Sequence, residues 1–399
     1  MAFCKISTDW SNGQEFVEEH LRVMAVEIGM KRMQFNQLLR HTTHLLTLAA
    51  AYAILVAMPG RAAEFDNGQF SFMKDIFRKI IVLTALIVGY PGGVFAEDLD
   101  PFAIAIPESS KGPVVPLEKG YLVEEIRDGI YWVTNGVYQS MFMTTGHGIV
   151  VVDAPPSIGQ NLLRAIRDVS EEPITHMVYS HSHKDHIGAA GLLPKQIEII
   201  AHEEVKEILT NARDPNRPLP TVVFNKKYQL TVGNKTLYLS YPGEGHSSGN
   251  IFIYAQKQKI LMLVDVVFPG WVPFANLGMA DDVKGIRRIL DQSLDYDFDT
   301  LIGGHVTRLG NRRDVILLKQ YVDDLDKHAA QARNEIEFSE IAEENGGYSH
   351  MWHLYNLYYK KVAKRCAELT IPKYLDTLAD VASYTEQNCF WMNMSDDME

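Results

Sequence analysis

Within six residues, His181-Ser182-His183-Lys184-Asp185-His186 gathers three imidazoles and one carboxylate. Imidazole nitrogen and carboxylate oxygen are ordinary zinc ligands. The stretch directly follows an apolar, strand-like run at 175–180. On an extended backbone alternate residues share a side, so His181, His183 and Asp185 could aim at one point, with His186 at the end of the row. Packing four such groups together without an ion would bury polar atoms at a cost. The tract is internal, and the small-residue segment Ile187-Gly188-Ala189-Ala190-Gly191 follows it, unlike a histidine tail.

Three further polar residues stand where apolar strand-like runs end. His246 lies in a Gly/Ser-rich loop after the run at 236–241, Asp265 closes the run at 260–264, and His305 follows the run at 300–302 with Gly303-Gly304. Ligands and catalytic groups gather where strands give way to loops. Singly, His246 and Asp265 also read as turn or cap residues. Together with the hexapeptide they make five histidines and two aspartates, a set that suits two metal ions.

The ordered pattern is His-x-His-x-Asp-His, then Gly-His-Ser-x-Gly, then an aspartate after an apolar strand, then Gly-His. It resembles the metallo-β-lactamase superfamily of binuclear metal hydrolases, over roughly residues 119–310. The segment Gly148-Ile149-Val150-Val151-Val152-Asp153-Ala154 resembles the family's upstream strand. The resemblance implies that His181, His183 and His246 hold one metal, that Asp185, His186 and His305 hold a second, and that Asp265 bridges them. It implies two Zn2+ as cofactor, with iron or manganese as alternatives, and an outer role for Asp153 in orienting a ligand or the hexapeptide loop. The implied fold is α+β, a four-layer αβ/βα sandwich with the metals at one edge, here with a C-terminal helical extension. Four positions depart from common family members. Asp265 stands where one lactamase group has Cys, Phe268 where many lactone-opening relatives have Tyr, Lys184 at an often small position, and Val264 where many have Gly.

Two divalent ions about 3.5–4 Å apart share a hydroxide and lower its pKa towards about 7. The expected reaction is attack of that hydroxide on an acyl bond of a β-lactam, lactone or thioester in a small, partly apolar substrate. Asp185 is the candidate proton carrier to the leaving group, because the resemblance holds Asp265 between both cations. The alternative use of the same ligands is iron-dependent redox chemistry, or non-hydrolytic binding of metal or cofactor. Phe268, Trp271 and Phe274 sit in a Pro/Gly loop just after Asp265 and are candidates for an apolar pocket wall. Tyr138, Met141 and Phe142 could form an opposing wall.

The 399 residues carry a formal charge of −12, which argues against a nucleic-acid partner. Three cysteines make no disulfide framework, although Cys366 and Cys389 could pair in an oxidising compartment. Three regions are expected: an N-terminal extension at 1–96, a metallo-β-lactamase-like domain at 97–312 and a helical extension at 313–399. The extension carries apolar runs at 45–58 and 80–89. The second has a basic lead and the small residues Val94-Phe95-Ala96, the pattern of a secretory signal. Met73 could be the true start. The preferred expectation is export with a mature chain from near Glu97. A membrane-anchored hairpin and a cytosolic protein with a buried helix are the alternatives, both runs being shorter than a roughly 20-residue span. Beyond 121, strand-like runs alternate with helix-like ones at 161–169, 203–211 and 283–294. A hairpin signal lies at 231–234. Helices are expected over 313–335, 351–369 and 374–384.

Overall fold

Apolar residues alternate along the strands, yet both alternating sets are buried, and that decides the architecture. The computed structural model describes residues 106–398, with side chains through 395. The signal-like runs and candidate start sites lie outside the described residues. A first sheet runs in sequence order through β1 (Leu122–Arg127), β2 (Ile130–Thr134), β3 (Gln139–Thr144), β4 (Ile149–Val152), β5 (Ile174–Val178), β6 (Glu198–His202) and β7 (Val222–Phe224). Neighbours are antiparallel up to β4 and parallel from β4 onward. The parallel steps are made by α1 (Gln160–Val169), α2 (Lys184–Ile187) and α3 (Glu203–Ala212).

The second sheet has the order β12-β11-β10-β9-β8, from β8 (Lys227–Val232), β9 (Lys235–Ser240), β10 (Phe252–Ala255), β11 (Ile260–Met262) and β12 (Thr300–Ile302). On β4, Val150 and Val152 face the second sheet and meet residues such as Leu239, Ile253 and Met262. Ile149 and Val151 face the other way, onto Leu162, Ile166 and Val205 of the first helical layer. On the far side of the second sheet, Phe252, Leu261 and Leu301 pack on the remaining helices. These are α4 (Val283–Ser293), α5 (Arg312–Glu335), α7 (Met351–Tyr374) and α8 (Val381–Met398), while the short α6 (Phe338–Glu344) packs on α7. The result is the four-layer αβ/βα sandwich that the resemblance implies, with the C-terminal helices built into one outer layer.

One expectation is corrected here. The continuous helix expected over 374–384 is divided: α7 runs through Pro372 to Tyr374, and α8 starts only after Asp380, whose φ is 58°. Between them Ala379 makes a bridge to Trp271, so tertiary pairing overrides local periodicity. Cys366 and Cys389, both fully buried, form a disulfide between α7 and α8. No helix among the described residues is long and apolar enough to cross a membrane.

Candidate metal centre

The candidate ligands come from strand ends on one edge of the sandwich. Asp153 follows β4, His181 follows β5, His246 follows β9, Asp265 follows β11 and His305 follows β12. The hexapeptide is not one extended row. The backbone bends at His181 and Ser182, His183 is the extended N-cap of α2, with φ −65° and ψ 142°, and Lys184–Ile187 turns helically. That turn swings Asp185 and His186 away from the first pair, and it is why six residues serve two groups.

His181, His183, His246 and Asp265 form one group, and Asp185, His186, Asp265 and His305 the other; within each, potential ligand atoms lie within 4.8 Å of one another. Asp265 belongs to both. Its Oδ2 lies 3.5 Å from His181 Nε2, 3.3 Å from His246 Nε2 and 3.1 Å from His186 Nε2, and its Oδ1 lies 3.1 Å from His305 Nε2. His183 Nδ1 and His246 Nε2 are 3.1 Å apart, and His186 Nε2 and His305 Nε2 3.0 Å. Ligand atoms of a tetrahedral ion with bonds of about 2.0–2.1 Å stand about 3.3 Å apart, so these spacings fit. Moreover, His181 Nε2 is buried with no hydrogen-bond partner, as a nitrogen kept for a cation would be. Each group is therefore able to bind a metal ion. In the first group only His183 is partly exposed, while in the second Asp185 is 44% and His305 14% exposed, so the second group is the more open to solvent.

The charge distribution follows from crowding. Burial, reinforced by neighbouring imidazoles, moves His181 well below the ordinary imidazole value and lowers His183. Burial also disfavours a charge on His305, but Asp185 and Asp265 outweigh it and push its pKa up to about 9. Burial would raise Asp265, yet His186 and His246 hold it well below the usual carboxylate range. Asp185 is lowered too, because His305 and His186 overcome its burial.

Backbone strain marks the same edge. Asp153, Asp265 and Val306 have φ of 61°, 63° and 62°. For a β-branched residue such as Val306 this is an outlier, and each such position costs on the order of 1–3 kcal/mol unless its surroundings enforce it. Gly304 has φ 86°, and an added Cβ would meet Val264 Cγ1 at 2.6 Å and His186 Cε1 at 3.2 Å.

The enforcing contacts are largely ones that sequence reasoning missed. Gln139 donates through Nε2 to the Val306 and Arg308 carbonyls at 2.9 and 3.1 Å. Asn250 Nδ2 donates to Val264 O at 3.0 Å, tying the His246 loop to the strand end before Asp265. Arg217 Nη1 donates to Ser182 O at 2.8 Å. Asn250 sits four residues after His246, a weak hint; Gln139 and Arg217 carry no signal in residue type. The carboxylate of Asp153, expected in an outer role, accepts from Ser180 N and Oγ at 2.8 and 2.6 Å, beside His186 Nδ1 at 3.9 Å. Its burial pushes its pKa up to about 6 against the pull of His186 and Ser180.

Among the pocket candidates, the rings of Phe268 and Phe274 lie 6.0 and 6.4 Å from that of His305. Tyr138 lies 4.5 Å from the same ring, with its hydroxyl 3.5 Å from Asp185 Oδ2. Trp271 turns towards Ser110, donating to its carbonyl at 3.1 Å. Met141 and Phe142 are corrected: they point into the inter-sheet core and the first helical layer, since alternation along β3 sends them to opposite faces.

Residues 133–305 match the family model of the metallo-beta-lactamase superfamily. The chain is 26% identical over 204 residues to the 2,4-dinitroanisole O-demethylase subunit alpha of Nocardioides sp. (strain JS1661), covering 49% of this chain and 60% of that protein. It is 23% identical over 155 residues to the metallo-beta-lactamase type 2 of Elizabethkingia meningoseptica, covering 35% of this chain and 59% of that one. Thus the chain spans about 60% of the length of these curated relatives. A solved metallo-beta-lactamase from Pontibacter korlensis aligns with TM-score 0.45 and 20% identity, over 51% of this chain and 99% of that one.

Proposed function

Residues 133–305 belong to the metallo-beta-lactamase superfamily, and from that premise we propose that the chain is a binuclear zinc-dependent hydrolase of a small, partly apolar substrate. The observation that carries this reading is the carboxylate of Asp265, shared between two groups of converging histidines. His181, His183 and His246 would hold one ion, and Asp185, His186 and His305 the other. When bound, such ions activate water at neutral pH and polarise a carbonyl. The protein's own groups do the rest. Asp185 faces solvent beside Tyr138 and His305, is held ionised by His305 and His186 in the metal-free chain, and would exchange a proton with the leaving group at Oδ2. Phe268, Phe274 and Tyr138 supply an apolar wall that excludes water and suits a β-lactam, lactone or thioester carrying a hydrophobic part.

A second reading draws on one relative, whose name gives it as a subunit of an O-demethylase. It supports cleavage of an activated aromatic ether at the same centre, and the ligand set accepts iron or manganese as well as zinc. Export to an oxidising compartment is supported by the buried Cys366–Cys389 bond.

Elemental analysis and a panel of chromogenic cephalosporins, lactones, thioesters and activated aryl methyl ethers test these readings, with wild type and His183→Ala side by side. The expected result is about two zinc ions per chain and acyl hydrolysis that His183→Ala abolishes without loss of fold. Stoichiometric iron with no hydrolysis, or full turnover by His183→Ala, would overturn the zinc-hydrolase reading.

A further inference from the structure

Two of the rings beside His305, those of Phe268 and Phe274, hang on a backbone that its own loop supports poorly. Asn276, Leu277, Gly278 and Met279 have φ of 57°, 56°, 72° and 56°, a left-handed turn in which an L side chain crowds the following carbonyl. Only Gly278 adopts it freely. Within the loop, Gly278 N–H donates to Phe274 O at 2.7 Å and Ala280 N–H to Asn276 O at 3.2 Å. The other support comes from far along the chain. Asn388 of α8, fully buried, accepts from Leu277 N–H at 2.7 Å and donates to Pro273 O at 2.8 Å. Trp391 donates to Ala280 O at 2.9 Å. Cys389, adjacent to Asn388, is bonded to Cys366 and fixes α8 on α7.

We infer that Asn388 is a positioning residue that sets the aromatic wall of the substrate pocket, so that the C-terminal helix helps determine which substrates fit. The inference rests on the pocket reading proposed above. Phe274 follows Pro273 directly, and its ring lies 6.4 Å from His305. Phe268, 6.0 Å from His305, packs under the turn, where a Cβ on Gly278 would come within 3.3 Å of its Cζ. The loop then returns to the ligand loop, with Asp281 and Asp282 N–H donating to the His246 and Gly245 carbonyls at 3.1 and 2.9 Å. An amide is suited to this place because it accepts and donates at once; an ionised aspartate would only accept.

Hydrogen exchange on the metal-loaded protein, with metal analysis and kinetics, separates this role from simple helix packing. The control is Asn393→Ala, which removes the acceptor for Arg333 Nη1 on the same helix without touching the loop. Asn388 Nδ2 also donates to the Tyr321 hydroxyl of α5 at 3.2 Å, so the reference is the first sheet: in Asn388→Leu the Leu277 and Gly278 amides should exchange about tenfold faster while β3 and β4 stay protected, as expected for local opening after a lost hydrogen bond. Metal content should hold. On whichever panel substrate the wild type hydrolyses, KM should rise about tenfold with kcat nearly unchanged, the loss of binding that is uniform between ground and transition states. Asn393→Ala should leave loop exchange and KM at wild-type values. If Asn388→Leu does not fold, Asn388→Asp, which keeps the acceptor and loses the donor, should raise KM in the same direction. Unchanged loop exchange, or an equal rise in Asn393→Ala, would overturn the inference. A protein that binds no metal would instead sink the hydrolase reading, and the exchange result would stand apart from it.

Discussion

Asp265 faces four imidazoles at 3.1–3.5 Å, and so many ligands around so little charge leave protons that a metal must displace. His305 is the clearest case. With a pKa raised to about 9 from the ordinary 6.5, it is protonated at pH 7 in the metal-free chain. Its charged form stabilises the metal-free fold fully below pH 6.5, and that contribution is lost as pH rises through about 9. A metal ligand must be neutral imidazole, so loading at pH 7 is expected to release about one proton from His305, and affinity should climb between pH 7 and 9. His186, also raised because Asp265 and Asp153 outweigh its burial, adds to the release. Calorimetric titration in buffers of different ionisation enthalpy measures it; a buffer-independent enthalpy at pH 7 would contradict the proton count. At this scale the sequence was informative because histidine and aspartate announce their chemistry by type and spacing. Gln139, Asn250 and Arg217 hold the same loops through ordinary amide and guanidinium donors, which nothing in a single sequence distinguishes from side chains that only meet water.

The hexapeptide shows what changes between residue and element. Its six residues suggest one extended row, but helical geometry starts at Lys184, and the change of backbone state at His183 divides the ligands between two groups. Strand ends were readable from the apolar runs before His181, Asp265 and His305; the left-handed residues after them were not, because Val306 has no intrinsic preference for φ 62°. Tertiary contact enforces it. Val306 N–H donates to Val137 O at 2.8 Å, and Gln139 holds its carbonyl. Replacing Gln139 by Leu removes a buried double donor and leaves two carbonyls short of a partner, a loss of roughly 2 kcal/mol. Because the strained residue adjoins His305, the His305-containing group should lose about tenfold or more in metal affinity while the His181-containing group holds, the usual effect of an outer-shell change. A two-step competition titration with a chelator reads the groups separately. Equal weakening of both steps would show that Gln139 supports the sandwich generally and not that ligand loop.

The whole molecule depends on its tail more than the sequence suggests. The motif ends at His305, and the helices after it read as an extension of open purpose. In the structure Tyr321, Leu325, Cys366 and Cys389 share one core cluster with Leu261, Leu263 and Leu301 of the second sheet, so the fourth layer is completed by residues beyond the last ligand. Helical periodicity revealed the helices but not which sheet face they cover, since β10–β12 are apolar on both sides. The Cys366–Cys389 bond joins positions 23 residues apart within that layer. Closing a loop of this length in the unfolded chain should stabilise the fold by roughly 3 kcal/mol. The double variant Cys366→Ser, Cys389→Ser, or the wild type under strong reductant, should therefore melt lower by roughly 5–10 °C while keeping its metal content, because α7 and α8 contribute no ligand. Since Asn388 neighbours the bridge, the loop it holds should be among the first parts to open as the reduced protein is warmed. Thermal melts with and without reductant, followed by tryptophan fluorescence and metal release together, check both points. Loss of metal ahead of tertiary structure, or an unchanged melting temperature, would mean that the bond does not brace this layer.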